Sequence, residues 1–182
     1  LDTEILSIQQ KIRSEPTEPK WRMGLFQRYC QVGRWQKALE QLQAYARSHP
    51  QGESFAYAYR VALQQEQYRE RVFKGELDAP LPASADDWLR VLASTLRAQS
   101  EGSLTVADLR EQAFQLAPTS SGVLDEKPFQ WIADADSRLG PVCEAILEGQ
   151  YQWIPFSDIE SIRIIEPSSV CDLVWLSAGI KL

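Results

Sequence analysis

Asp134 and Asp136 stand two residues apart in the run Trp131-Ile132-Ala133-Asp134-Ala135-Asp136-Ser137-Arg138-Leu139-Gly140-Pro141. Two carboxylates at that spacing could serve a metal site or an acid–base pair. On an extended chain they share one face, because Ala133 and Ala135 alternate with them. No third ligand lies nearby, and Ser137 and Arg138 can neutralise them locally. A turn held by carboxylate-to-backbone bonds is the simpler reading. His49 is the only histidine, so a Ser-His-Asp or Cys-His relay would have to run through it. It sits in Ser48-His49-Pro50 at the end of an expected helix, where a cationic ring suits the helix C-terminal dipole. Cys30, Cys143 and Cys171 have no zinc-type spacing, and their odd number argues against a secreted disulfide framework. A reducing cytosol fits them better. No catalytic residue, metal ligand or cofactor is assigned.

The elements that would position these residues change character along the chain. Ile5, Ile8 and Ile12 make a first apolar stripe, with Pro16 beyond it. Pro19 can open a second helix carrying Trp21, Leu25 and Tyr29. Gly33 breaks the pattern, which Trp35, Leu39, Leu42 and Ala46 resume until Pro50. A long helix is expected from about Ser54 to Phe73, and Pro80 and Pro82 mark an irregular connection. Ser84 with Asp87, and Thr105 with Asp108, have capping-box spacing ahead of two further helices. Pro118 stops the last one. Beyond it the apolar runs are short and rich in aromatic or β-branched residues. Gln130–Ala133, Val142–Leu147, Tyr151–Ile154, Ser161–Ile165 and Leu173–Ser177 are candidate strands. Gly149-Gln150 is the expected tight turn between the second and third. Phe129, Trp131, Tyr151, Trp153, Phe156 and Trp175 are the expected β core.

The chain has 182 residues, 44% of them hydrophobic and 24% charged. That composition is globular and excludes intrinsic disorder. The net charge of −6 is uneven. Residues 1–118 hold 15 basic and 15 acidic side chains, and residues 119–182 hold 4 and 10. Neither part has the positive excess that nucleic-acid binding needs. No apolar run approaches the roughly 20 residues that span a bilayer, and the first residues carry no signal core. The expected fold is α+β, with an antiparallel helical bundle over 1–118 and a small acidic, mostly antiparallel β domain over 119–182.

Leu25, Tyr29, Gly33, Trp35, Ala38, Leu42 and Pro50 fall at tetratricopeptide-type spacings. Arg22 stands where that motif often has Trp, with Trp21 adjacent. A second candidate repeat, Trp88 to Pro118, lacks the mid-repeat glycine. Such scaffolds bind peptides and helices in a concave groove. Met23, Gln27 and Cys30 are candidate groove residues of the matching repeat. The alternative is that they pack against the preceding helix. Asp134, Asp136 and Arg138 are the second set of partner-binding candidates.

The segment Ile132 to Pro141, then Gly149-Gln150-Tyr151-Gln152-Trp153-Ile154-Pro155-Phe156, then Asp172-Leu173-Val174-Trp175-Leu176, resembles the ImpE family, called TagJ in type VI secretion systems. Phe26-Gln27 and Gly33-Arg34-Trp35 extend the likeness into the helical part. The resemblance implies a non-enzymatic accessory protein of the bacterial cytosol. It implies as partners the N-terminal helix of the small sheath subunit and the ClpV-type AAA+ ATPase that recycles the sheath. A general tetratricopeptide-like chaperone or scaffold for other secretion proteins is the alternative. Family members continue beyond the Asp172–Leu176 run, so the chain is either a trimmed piece or a short branch of the family, and in the first case the β part lacks strands. Its last strand would then be an edge able to pair with a second copy.

Overall fold

The computed structural model describes all of residues 1–182, and the fold is α+β. Six helices come first: α1 (Asp2–Ser14), α2 (Pro19–Gln31), α3 (Trp35–Ser48), α4 (Glu53–Phe73), α5 (Asp87–Ser100) and α6 (Val106–Leu116). Short strands follow: β1 (Gly122–Leu124), β2 (Lys127–Phe129), β3 (Val142–Leu147), β4 (Gln150–Pro155), β5 (Ser161–Ile164) and β6 (Ala178–Lys181). They form three separate two-stranded sheets, β1-β2, β3-β4 and β5-β6. No helix is long and apolar enough to cross a membrane.

The chain divides into two compact units. The first comprises Leu1–Gln67 and Arg163–Gly179. Its core is set by the expected apolar stripes. Ile5 from α1, Leu25, Phe26 and Tyr29 from α2, and Ala38 and Leu42 from α3 are all buried. Pro19 occupies the first turn of α2, where its missing N–H costs nothing. Gly33 turns the chain into α3 with φ +65°, a conformation that disfavours side chains. Phe26 meets Phe55 and Tyr59 of α4 edge to face, at centroid distances of 6.3 and 5.6 Å. Cys171 is buried in the same cluster, with Val174 and Trp175 packed against it.

The second unit comprises Tyr68–Ile162 and Ile180–Leu182. Val72, Leu89, Leu92, Ala113, Leu139, Val142 and Trp153 form its core. The β3-β4 ladder runs from Val142 opposite Pro155 to Leu147 opposite Gln150. Its turn is Glu148-Gly149, both at positive φ, so the tight turn lies one residue earlier than the sequence pattern placed it.

Other expectations are corrected. Neither Ser84–Asp87 nor Thr105–Asp108 forms a capping box. Asp86 and Thr105 are the residues before α5 and α6, and neither side chain caps its helix. The Thr105 hydroxyl instead lies 3.0 Å from that of Ser103. Gln130–Ala133 is not a strand, since β2 ends at Phe129 opposite Gly122. Leu173–Ser177 is not a strand either, because Val170–Leu173 is a 3-10 turn. The expected β core shrinks to Tyr151 and Trp153: Trp131 is 69% exposed, and Trp175 joins the helical cluster.

This difference in burial is testable. Trp153→Ala should destabilise the protein by about 3–5 kcal/mol in urea denaturation, because a fully buried indole leaves a cavity. Trp131→Ala should change stability by less than about 0.5 kcal/mol.

Candidate partner-binding site

The repeat-type hairpin α2–α3 is anchored from several sides within the first unit. At Gly24 the helix lies close to α1, and a Cβ there would stand in ordinary contact, 3.8 Å from Ile8 Cδ1. The Gln9 amide donates to the Tyr29 hydroxyl at 2.9 Å, and Arg28 pairs with Glu4 at 3.3 Å. Across to α3, the Arg22 guanidinium donates to Gln41 Oε1 at 2.8 Å. Arg22 therefore fills the position of the expected Trp by bridging α2 to α3, while Trp21 donates its indole N–H to Glu15.

Met23, Gln27 and Cys30 lie four and three residues apart on α2 and so share one helix face. The structure places them unequally. Met23 and Gln27 are half-buried, Met23 at the margin of the core cluster. Cys30 is 1% exposed and is enclosed together with Cys171. Burial pushes the Cys30 thiol far up, and Cys171 adds to that shift. Burial likewise pushes the Cys171 thiol up to about 11. Both are neutral thiols at physiological pH and weak nucleophiles.

The element covering Cys30 is the turn Val170–Leu173 with the residues after it. Trp175 stacks between Trp35 of α3 and Tyr59 of α4, at centroid distances of 5.9 and 5.8 Å. Its indole N–H donates to Glu66 Oε1 at 3.0 Å. The Asp172 carboxylate accepts N–H bonds from Ser168 and Ser169 at 2.9 and 2.7 Å. Those bonds lower its pKa. The pairing of Ser169 with Asp172 is the capping-box spacing met twice elsewhere in the chain, and here the cap forms. Reading it that way would have found the turn.

Asp134, Asp136 and Arg138 lie in the second unit, and Met23, Gln27 and Cys30 in the first. Asp134 is exposed, and its carboxylate accepts the Asp136 N–H at 2.7 Å. Asp136 accepts the Arg138 N–H at 2.9 Å and grips the Arg138 guanidinium with both oxygens, at 2.5 to 3.0 Å. This is the carboxylate-to-backbone turn expected from the sequence. Gly140 closes it at φ +53°, where a Cβ would lie 2.5 Å from the Phe114 ring. The Arg138 guanidinium lies 4.3 Å from the centre of the Phe73 ring. No group of three or more His, Cys, Asp or Glu side chains is arranged to hold a metal ion.

Beside the turn lies a polar chain that sequence reasoning missed. Arg69 grips Glu144 through two bonds of 2.8 and 2.7 Å. Tyr151 donates its hydroxyl to the same carboxylate, and Trp153 donates its indole N–H to the Tyr151 oxygen at 2.6 Å. Arg69 and Glu144 are 75 residues apart, so no local pattern announces the pair. Each buried donor is satisfied, which fixes how the β3-β4 hairpin meets the end of α4.

These elements define a class: several packed helices followed by small antiparallel β-hairpins. Residues 126–182 match the family described as ImpE protein. The chain is 37% identical over 183 residues to the type VI secretion system accessory component TagJ of Pseudomonas aeruginosa. That alignment covers all of this chain and 65% of the relative, so the chain spans about two thirds of its relative's length. Among solved structures, the crystal structure of protein VPA1032 from Vibrio parahaemolyticus has the same fold, with a TM-score of 0.91 at 20% identity. That match covers 100% of this chain and 69% of the other. The ImpE match is confined to residues 126–182, and the similarity to TagJ runs over the whole chain.

The acidic turn carries a pH signature. Arg138 holds the Asp136 carboxyl down to about 2, below its ordinary 3.8. Its contribution to stability is therefore complete above about pH 4 and is lost as pH falls towards 2. Asp136→Asn should remove about 1–2 kcal/mol at pH 7 and flatten that limb of the stability–pH curve. Gly140→Ala should cost about 2 kcal/mol at every pH, through its positive φ and the Phe114 contact.

Proposed function

We propose that the chain is a non-enzymatic adaptor of a bacterial type VI secretion system that receives the N-terminal helix of the small sheath subunit. In this role it would tune sheath assembly, or its disassembly by a ClpV-type ATPase. The observation that carries the reading is the α2 face. Met23 and Gln27 are half-buried, Met23 at the margin of the core cluster, and they share a helix face with the enclosed Cys30. An apolar and polar pair at that spacing suits one stripe of an amphipathic helix. The accessory role is supported by the 37% identity to the Pseudomonas protein of that name. The acidic turn is the less suited of the two candidate surfaces, because Asp136 and Arg138 already satisfy each other.

Titration calorimetry with a synthetic peptide of the sheath subunit's N-terminal helix tests the reading. Saturable binding with Kd in the micromolar range is the expected outcome. The double variant Met23→Glu, Gln27→Glu should weaken it at least about tenfold while leaving the thermal unfolding cooperative, since both residues lie outside the buried core. Absence of heat at tens of micromolar would contradict the reading. Capture of other secretion proteins from a lysate lacking the sheath genes would favour a general scaffold instead.

A further inference from the structure

Residues 166–176 form a loop whose two ends are tied together. Ile165 donates its N–H to the Ser177 carbonyl at 2.9 Å, and β5 pairs with β6. A compact segment closed at its base in this way is an Ω-type loop, a common carrier of function. Its main-chain bonds run within itself: Asp172 N–H to the Ser169 carbonyl, and Val174 and Trp175 N–H to the Cys171 carbonyl. What holds it to the helices is a set of side chains. Cys171, Val174 and Trp175 enter the core cluster, and the Trp175 indole reaches Glu66. Leu173 and Leu176 point outward, 72% and 50% exposed.

Those three anchors fall at i, i+3 and i+4, which is the stripe that one turn of an amphipathic helix presents to a groove. The loop thus occupies the helical hairpin as a short internal copy of a helical ligand. We propose that residues 166–176 are a displaceable strap, and that a partner helix enters by taking the place of this turn. The partner's matching stripe would offer a small, a β-branched or aliphatic, and an aromatic residue at i, i+3 and i+4. Glu66 would accept a hydrogen bond from the aromatic residue. This proposal rests on the adaptor reading, and it names the chemistry of the partner and the step that opens the site. The strap donates no strand to the helices and leaves their ladders intact when it lifts. Lifting it exposes Cys30 and Cys171 together.

Iodoacetamide labelling of the full chain, with each cysteine followed by peptide mass spectrometry, tests this. In the free protein Cys30 and Cys171 should label through a local opening. Their rates should depend only shallowly on urea below the global transition. A urea dependence as steep as that of global unfolding would show that the strap is a fixed part of the core and overturn the proposal. With saturating sheath-subunit peptide, Cys171 should label about tenfold faster and Cys30 about tenfold slower. A peptide that binds and leaves both rates unchanged would also overturn the proposal. A peptide that gives no heat removes the adaptor reading and the partner half of this proposal with it. The free protein's labelling still decides whether the strap opens.

Discussion

The seating of Trp175 between Trp35 and Tyr59 is the interaction on which the first unit depends. Three aromatic side chains from α3, α4 and the 170–175 turn meet there, and the Glu66 carboxylate satisfies the indole N–H. Desolvating a Trp without a partner for its N–H would offset part of what its area contributes. With the bond made, a segment more than a hundred residues distant in sequence becomes part of the helical core. Cys171 and Val174 follow from that placement, because the turn can rotate only a few residues into the cluster. The burial of Cys30 is one consequence.

The second unit uses a different device. Glu144 gathers Arg69 and Tyr151, and Tyr151 in turn accepts from Trp153. A half-buried ion pair contributes little when compared with an apolar substitute, but it fixes geometry. Here it sets the register of β3-β4 against the end of α4. The Asp136–Arg138 turn, with its cation over Phe73, continues the same arrangement. The acidic motif that first suggests chemistry in the sequence is a hydrogen-bonded turn that closes a core.

Much of the helical part was legible because its signals are local. The Ile5-Ile8-Ile12 stripe, Pro19, Gly33 and the Leu25–Tyr29–Leu42 spacing each act within one or two turns, and each residue does the expected work. The turn at Asp134–Arg138 was legible for the same reason. The run from Leu173 to Ser177 was not. Its composition suits a strand, but tertiary burial of Val174 and Trp175 outweighs that preference. The Ser169–Asp172 cap was the local clue to the turn. Nothing local pointed to Arg69–Glu144 or Trp175–Glu66, since such pairs exist only once the chain has closed on itself. For the candidate site, the α2 face could be read from helical spacing, whereas the covering of Cys30 could not.

The central claim is that the α2 face receives a helix and that residues 166–176 yield to it. Hydrogen–deuterium exchange of the chain, with and without the sheath-subunit peptide at saturation, addresses both halves at once. The account predicts slower exchange over Pro19–Gln31 and faster exchange across 166–176 in the bound state. Protection confined to the second unit, with the strap amides unchanged, would contradict it.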